Sequence, residues 1–174
     1  MTGFDKIKAI TFDIDGVMTD GSLLGFDDGN FIRIYDAKDG FGVRLASMSG
    51  IKLAVITGGT SPSIAQRFIK SGVPADDIYL HSRDKIKDFM RFCEKHGLSP
   101  EEVAYVGDDI PDIDVIKAAG LGVAPADAVP EVLAVADYVS PFPGGKGCMR
   151  DVFEKVLKAQ DLWHLDVDTY VKKF

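Results

Sequence analysis

Short apolar runs alternate with amphipathic segments along the whole chain, and Gly, Pro, Ser and Asp mark the joins. The runs at 7–12, 53–56, 78–80, 103–106, 121–123 and 138–139 are nearly continuous apolar stretches, broken by polar residues only at Lys8 and Thr11. That continuity predicts strands covered on both faces, as in a parallel sheet. The segments between them predict helices. In 83–96, Ile86, Phe89, Met90 and Cys93 recur at i, i+3, i+4 and i+7 as one core-facing stripe, and Gly97 stands where a left-handed C-terminal residue is wanted. Ser61-Pro62 reads as an N-cap followed by proline, and Ser99-Pro100-Glu101-Glu102 repeats the signal with a capping-box glutamate. Further helices are expected at 40–49, 111–119, 129–135 and 148–159. The alternation gives an α/β protein with a doubly wound parallel sheet.

One stretch departs from the alternation. The apolar segments 22–26 and 31–35 flank the turn-forming tetrad Asp27-Asp28-Gly29-Asn30, which predicts a β-hairpin inserted after the first strand, at about 20–36. A two-stranded hairpin is marginal in water, so Leu23, Leu24, Phe26, Phe31, Ile32 and Ile34 need cover from the body or from another chain.

A chain of 174 residues is expected to make one domain, with a C-terminal tail at about 160–174 and no separate lid. Any pocket is then open, served by small loops, or completed by another subunit. The 20 basic and 27 acidic residues leave a net charge of −7 without a basic stripe, which argues against a nucleic-acid partner. No apolar run approaches the roughly 20 residues that cross a bilayer. The N-terminal residues show no secretory core, and Cys93 and Cys148 are far apart, so a cytoplasmic protein is expected, with no membrane partner.

The candidate chemistry lies where predicted strands end. In a doubly wound sheet ligands bind beyond the carboxyl ends of the strands, and the first strand ends in Asp13-Ile14-Asp15-Gly16. An ionised Asp13 after an apolar run needs a cation, and hard carboxylate oxygens favour Mg²⁺. An EF-hand loop is excluded, because its glycine and glutamate positions would be Met18 and Leu24. Taken alone, the motif fits a turn as well as a site. Ile56-Thr57-Gly58-Gly59 precedes a helix start and suits a phosphate cradle of backbone N–H groups with a Thr57 hydroxyl; a plain glycine turn fits equally. Gly107-Asp108-Asp109-Ile110-Pro111-Asp112-Ile113-Asp114 carries four aspartates that repel one another unless a cation sits among them. Asp108 is expected to face the metal of Asp13, and Asp109 and Asp112 to support the coordination shell or bond neighbouring backbone. Lys85 opens a helix, where a cation opposes the macrodipole and needs a partner elsewhere. Arg67 and Lys70 share a helix face flanking the expected buried stripe Ile64, Ala65, Phe68 and Ile69, and two such cations can hold a carboxylate.

Taken in order, these motifs resemble the haloacid dehalogenase superfamily over the whole chain. More narrowly, Asp13-Ile-Asp-Gly-Val-Met-Thr-Asp-Gly, Asp39-Gly-Phe-Gly, Ser61-Pro62 and Gly144-Gly-Lys-Gly resemble its small-cap branch of octulosonate phosphatases. The resemblance implies a Rossmann-like sheet with no large cap and a homotetramer built through the hairpin. It implies a Mg²⁺-dependent phosphatase for a phosphorylated 2-keto-3-deoxy sugar acid, 3-deoxy-D-manno-octulosonate 8-phosphate. Asp13 would be the nucleophile and Asp15 the acid/base. Asp13, Asp108 and the Asp15 carbonyl would bind the metal. Thr57 and Lys85 would offset phosphoryl charge, and Gly58, Gly59, Arg67, Lys70 and Lys146 would contact substrate or, for Lys146, a neighbouring subunit. Gly59 departs from the Gly-Arg-x-Ser-Pro common in that branch, which leaves eight- and nine-carbon sugar acids, and broader sugar phosphates, open. A non-catalytic phospho-acceptor is the alternative of another class, and Asp15 argues against it.

Overall fold

The computed structural model describes residues 3–164, so most of the expected C-terminal tail lies outside the described residues. In chain order the elements are β1 (Ala9–Phe12), β2 (Leu24–Gly25), β3 (Phe31–Ile32), α1 (Ala37–Met48), β4 (Lys52–Ile56), α2 (Pro62–Lys70), β5 (Ile78–Tyr79), α3 (Lys85–His96), β6 (Val103–Val106), α4 (Ile113–Ala118), β7 (Leu121–Ala124), α5 (Pro130–Leu133), β8 (Tyr138–Val139) and α6 (Cys148–Ala159). Six strands form one parallel sheet in the order β5-β4-β1-β6-β7-β8. The chain leaves β1 toward β4 and later returns to β6 on its other side. This reversal opens a crevice at the carboxyl ends of β1 and β6.

β1, β6 and β7 are buried at every position, as expected of strands sandwiched between helical layers. One core layer joins the sheet to α1, α2 and α6 through Val43, Phe68, Val152 and Phe153; the other joins it to α3, α4 and α5 through Phe89, Phe92, Ile116 and Val132. Gly42 on α1 permits close packing of α6, since a β-carbon there would lie 2.7 Å from Phe153 Cδ2.

Helix ends follow the capping signals. Ser61 accepts from Ser63 N, Asp36 caps α1, Gly97 closes α3 at φ 61°, and Ser99 with Glu102 forms a capping box, although the helix it starts is a single 3₁₀ turn, Pro100–Glu102. Two apolar positions were misassigned by periodicity. Met90 and Ile69 are each 46% exposed, and Phe92 takes the inward position on α3. Helix α1 starts three residues before the expected position 40, because Asp36 rather than a later residue accepts from Lys38 N and Asp39 N.

The hairpin is present but shorter than the pattern suggests, with Leu24 opposite Ile32 and Gly25 opposite Phe31. Its apolar side chains are exposed, from Leu23 at 45% to Ile34 at 77%. No helix among the described residues is long and apolar enough to cross a membrane.

Candidate active site

Asp13 is the first residue beyond β1, and its N–H continues the ladder by donating to Val106 O at 3.0 Å. The chain then turns tightly, with Val17, Met18 and Thr19 N–H groups all donating to Ile14 O. Gly16 sits at φ 87°, and a β-carbon there would overlap the Asp108 carboxylate. Glycine is therefore required twice, by the backbone and by the close approach of the second acidic loop. Gly144 and Gly145 do the same from behind: β-carbons on them would run into the backbone of Gly16, Thr19 and Asp20.

Lys85 closes the floor of the site. Its Nζ donates to Asp13 Oδ2 at 2.6 Å and to Asp112 Oδ1 at 2.7 Å, and all three residues are buried. The carboxylate partners of this lysine come from β1 and from the loop after β6, which resolves the unfavourable charge at the start of α3. Burial pulls the Lys85 ammonium down, and Asp13 and Asp112 more than reverse this, leaving it raised. Asp112 is saturated. Oδ1 also accepts from the buried Tyr105 hydroxyl at 2.5 Å, and Oδ2 accepts from Asp108 N at 3.1 Å and Asp109 N at 3.2 Å.

Carboxylate oxygens of Asp13, Asp108 and Asp112 lie within 4.8 Å of one another. Burial raises Asp13 to about 6, against the pull of Lys85 and with the push of Asp112. Burial and then the charges of Asp13 and Asp112 raise Asp108 to about 8. Asp108 Oδ1 is buried without a hydrogen-bond partner among the described residues. An orphaned carboxylate oxygen beside a second carboxylate is what a divalent cation satisfies, so this donor set fits one. Asp112, with its lone pairs occupied, holds the loop instead. Asp109 is exposed and accepts from Ile110 N at 2.8 Å, capping the short turn Ile110–Asp112.

A cavity of about 770 Å³ opens above this floor. Asp13, Asp15, Thr57, Gly58, Gly59, Lys85, Asp108 and Asp109 all line it, as does Arg83. Thr57 is buried, and its Oγ1 accepts from Gly59 N at 3.2 Å, shaping the cradle before α2. The loop after β5 clamps the cradle, with His81 N donating to Gly59 O and Ser82 N to Thr57 O.

The hairpin of the same chain forms another wall, through Gly21, Leu23, Gly29, Asn30, Phe31 and Arg33. Arg33 was not singled out in the sequence. Its Nε donates to Asp15 Oδ1 at 2.7 Å and its Nη2 to Oδ2 at 2.9 Å. The only advance signal was a lone cation in an otherwise apolar strand, which is also common on exposed edges. Tyr105 was likewise read only as a strand residue.

Three expected substrate contacts fare differently. Arg67 lines an adjoining cavity of about 470 Å³ with Tyr35, Ser61 and Ser63, its guanidinium 5.7 Å over the Tyr35 ring. Lys70 is the last residue of α2, is exposed and lines neither cavity. Lys146 also lines neither and lies 3.9 Å from Asp20. The nearby glycines serve backbone packing, and Asp39 caps α6 by accepting from Gly147 N and Arg150 N.

Residues 52–147 match the family model of the haloacid dehalogenase-like hydrolases. The chain belongs to that family. It is 37% identical over 160 residues to the 3-deoxy-D-manno-octulosonate 8-phosphate phosphatase KdsC of Salmonella typhi, covering 92% of this chain and 84% of the relative. Among solved structures it is similar to the 3-deoxy-D-manno-octulosonate 8-phosphate phosphatase of Moraxella catarrhalis in complex with magnesium ion, phosphate ion and KDO. The TM-score is 0.88 at 31% identity, over 99% of this chain and 95% of that one. The cobalt-bound form of the deoxy-D-mannose-octulosonate 8-phosphate phosphatase from Haemophilus influenzae matches with a TM-score of 0.87 at 31% identity, over 91% and 92% of the two chains. The expected enzyme class, a phosphoric monoester hydrolase, stands with these relatives, and the expected α/β fold stands with the solved structures.

Proposed function

We propose that this hydrolase is a Mg²⁺-dependent phosphatase that converts 3-deoxy-D-manno-octulosonate 8-phosphate to the free sugar acid and phosphate. The observation that carries the reading is Asp13 held by Lys85 beneath an open cavity, with Asp15 two residues on and Asp108 opposite. The named substrate of the relatives supplies the sugar acid.

In this reading the Asp13 carboxylate attacks phosphorus as the ester P–O bond breaks, and Asp15 gives its proton to the departing alkoxide. Water then attacks the aspartyl-phosphate, passing a proton to Asp15 and releasing phosphate. The carboxylates of Asp13 and Asp108 and the backbone carbonyl of Asp15 would hold Mg²⁺. Bound there, the ion offsets negative charge on the transferred phosphoryl oxygens. Lys85, the Thr57 hydroxyl and the Gly58 N–H line the cavity as donors for the phosphoryl oxygens, while the Gly59 N–H, bonded to Thr57 Oγ1, holds the cradle in shape. Arg67 suits the sugar-acid carboxylate through its adjoining cavity.

The exposed apolar hairpin supports assembly through that surface, as a homotetramer in which neighbours narrow each cavity. With a net charge of −7 and no long apolar helix among the described residues, the reading is a cytoplasmic enzyme without a nucleic-acid or membrane partner. The deciding experiment compares kcat/KM over eight-carbon and nine-carbon sugar-acid phosphates and hexose phosphates, with and without Mg²⁺. A preference for the eight-carbon ester that vanishes on metal omission is expected. A flat profile, or a preference for the nine-carbon ester, would overturn the substrate assignment.

A further inference from the structure

Arg33 leaves the hairpin one residue beyond β3, yet its side chain is only 6% exposed, deeper than that of Asp15 at 27%. One edge of its guanidinium spans both oxygens of the Asp15 carboxylate. Such a planar fork fixes direction as well as distance, which a lysine cannot reproduce. The guanidinium also lies against the cradle, where a β-carbon on Gly59 would stand 3.2 Å from Arg33 Nη2. The opposite edge is unsatisfied: Nη1 is buried with no hydrogen-bond partner among the described residues. A buried donor in that state is destabilising until a ligand oxygen completes it.

We infer that Arg33 is a positioning residue for the proton-transfer step, holding Asp15 toward the leaving group and presenting its Nη1 edge to an oxygen of the departing sugar. The inference rests on the phosphatase reading and on Asp15 as its acid/base. In the first half-reaction the Asp13 oxygen–phosphorus bond forms, the ester P–O bond breaks, and the Asp15 proton moves to the leaving oxygen. Both Asp15 oxygens are engaged by Arg33 in the free protein, so this transfer requires one of the two contacts to lengthen. Because the hairpin carries Arg33, the position of the hairpin bears directly on Asp15.

A leaving group that departs as a stable anion needs little help from an acid, whereas a sugar alkoxide needs it fully. The test therefore measures kcat for p-nitrophenyl phosphate and for the preferred sugar phosphate in wild type, Arg33→Met and Arg33→Lys. Arg33→Met is expected to lower kcat for the sugar phosphate at least thirty-fold more than for the aryl ester, on the order of the contribution of a general acid. Arg33→Lys, which keeps the charge but loses the fork, is expected to show the same selectivity with a smaller ratio. Equal losses on the two esters, or no loss on the sugar phosphate, in the folded lysine variant would overturn the inference. If wild type prefers another sugar phosphate to the octulosonate ester, the substrate assignment fails, and the comparison made on that preferred ester still decides the role of Arg33.

Discussion

The floor and the rim of the cavity each pair a carboxylate with a cation, and they secure that pair in different ways. On the floor, Lys85 lies between Asp13 and Asp112, and Asp112 accepts four hydrogen bonds, from Lys85, Tyr105 and two backbone N–H groups. Every member arises on a buried strand or on the loop or helix beside one. On the rim, Asp15 and Arg33 hold each other, and Arg33 arrives on a hairpin whose strands are two residues long. A network in which each group has several partners has one geometry available to it. A single ion pair on a thinly supported element can open when a ligand competes for it. In the proposed mechanism this places the nucleophile, Asp13, where it must not move, and the acid/base, Asp15, where movement is tolerable.

The sharpest challenge to this contrast is Asp13→Asn. It is expected to lower kcat by about 10⁴-fold or more, as loss of a covalent nucleophile does, with the circular-dichroism spectrum unchanged. Retained phosphate release would break the assignment. Next in size is Asp112→Leu, which leaves Lys85 with one carboxylate and the buried Tyr105 hydroxyl with none. A loss of about 3 kcal/mol in urea unfolding is expected, and a loss below about 1 kcal/mol would mean that the floor is not over-determined.

Asp108 gives a pH-dependent test. Its carboxyl is raised from 3.8 to about 8, so between these values the native protein holds a proton that the unfolded chain has released. The unfolded state then binds fewer protons, and stability falls as pH rises through this window. In chelator, the Tm of the wild type is expected to fall more steeply between about pH 5 and pH 8 than that of Asp108→Asn. A divalent cation should raise Tm at the upper end in the wild type far more than in the variant. Parallel curves would remove Asp108 from the ion site. The smallest effect is expected on the rim side. Ile34→Ser, at a side chain 77% exposed, should change subunit stability by less than about 0.5 kcal/mol while reducing the assembled mass in sedimentation. An unchanged mass would show that this part of the hairpin does not carry the assembly.

Much of the floor was readable because it follows short-range rules. An apolar run ending in Asp-x-Asp-Gly, and a second ending in Gly-Asp-Asp, place their carboxylates at strand ends whatever the remote chain does. The need of Lys85 for a distant partner followed from its place at a helix start. Met90 and Ile69 were misread because periodicity marks an apolar face without saying how wide the neighbouring layer is. Lys70 was grouped with Arg67 on spacing alone, yet the helix ends as Lys70 is reached, and only Arg67 lies over Tyr35.

By itself the chain determined the doubly wound sheet, the strand ends that bear Asp13 and Asp108, the glycine turn after Thr57, and the hairpin. Each depends on residues close in sequence whose burial, turn or capping preferences agree. Only the tertiary structure decided that Asp112 is saturated, that Asp108 keeps an oxygen without a partner among the described residues, and that Arg33 grips Asp15. These are contacts between side chains brought together by separate elements. Their partners are chosen by the direction in which each element enters the crevice, which no local pattern records.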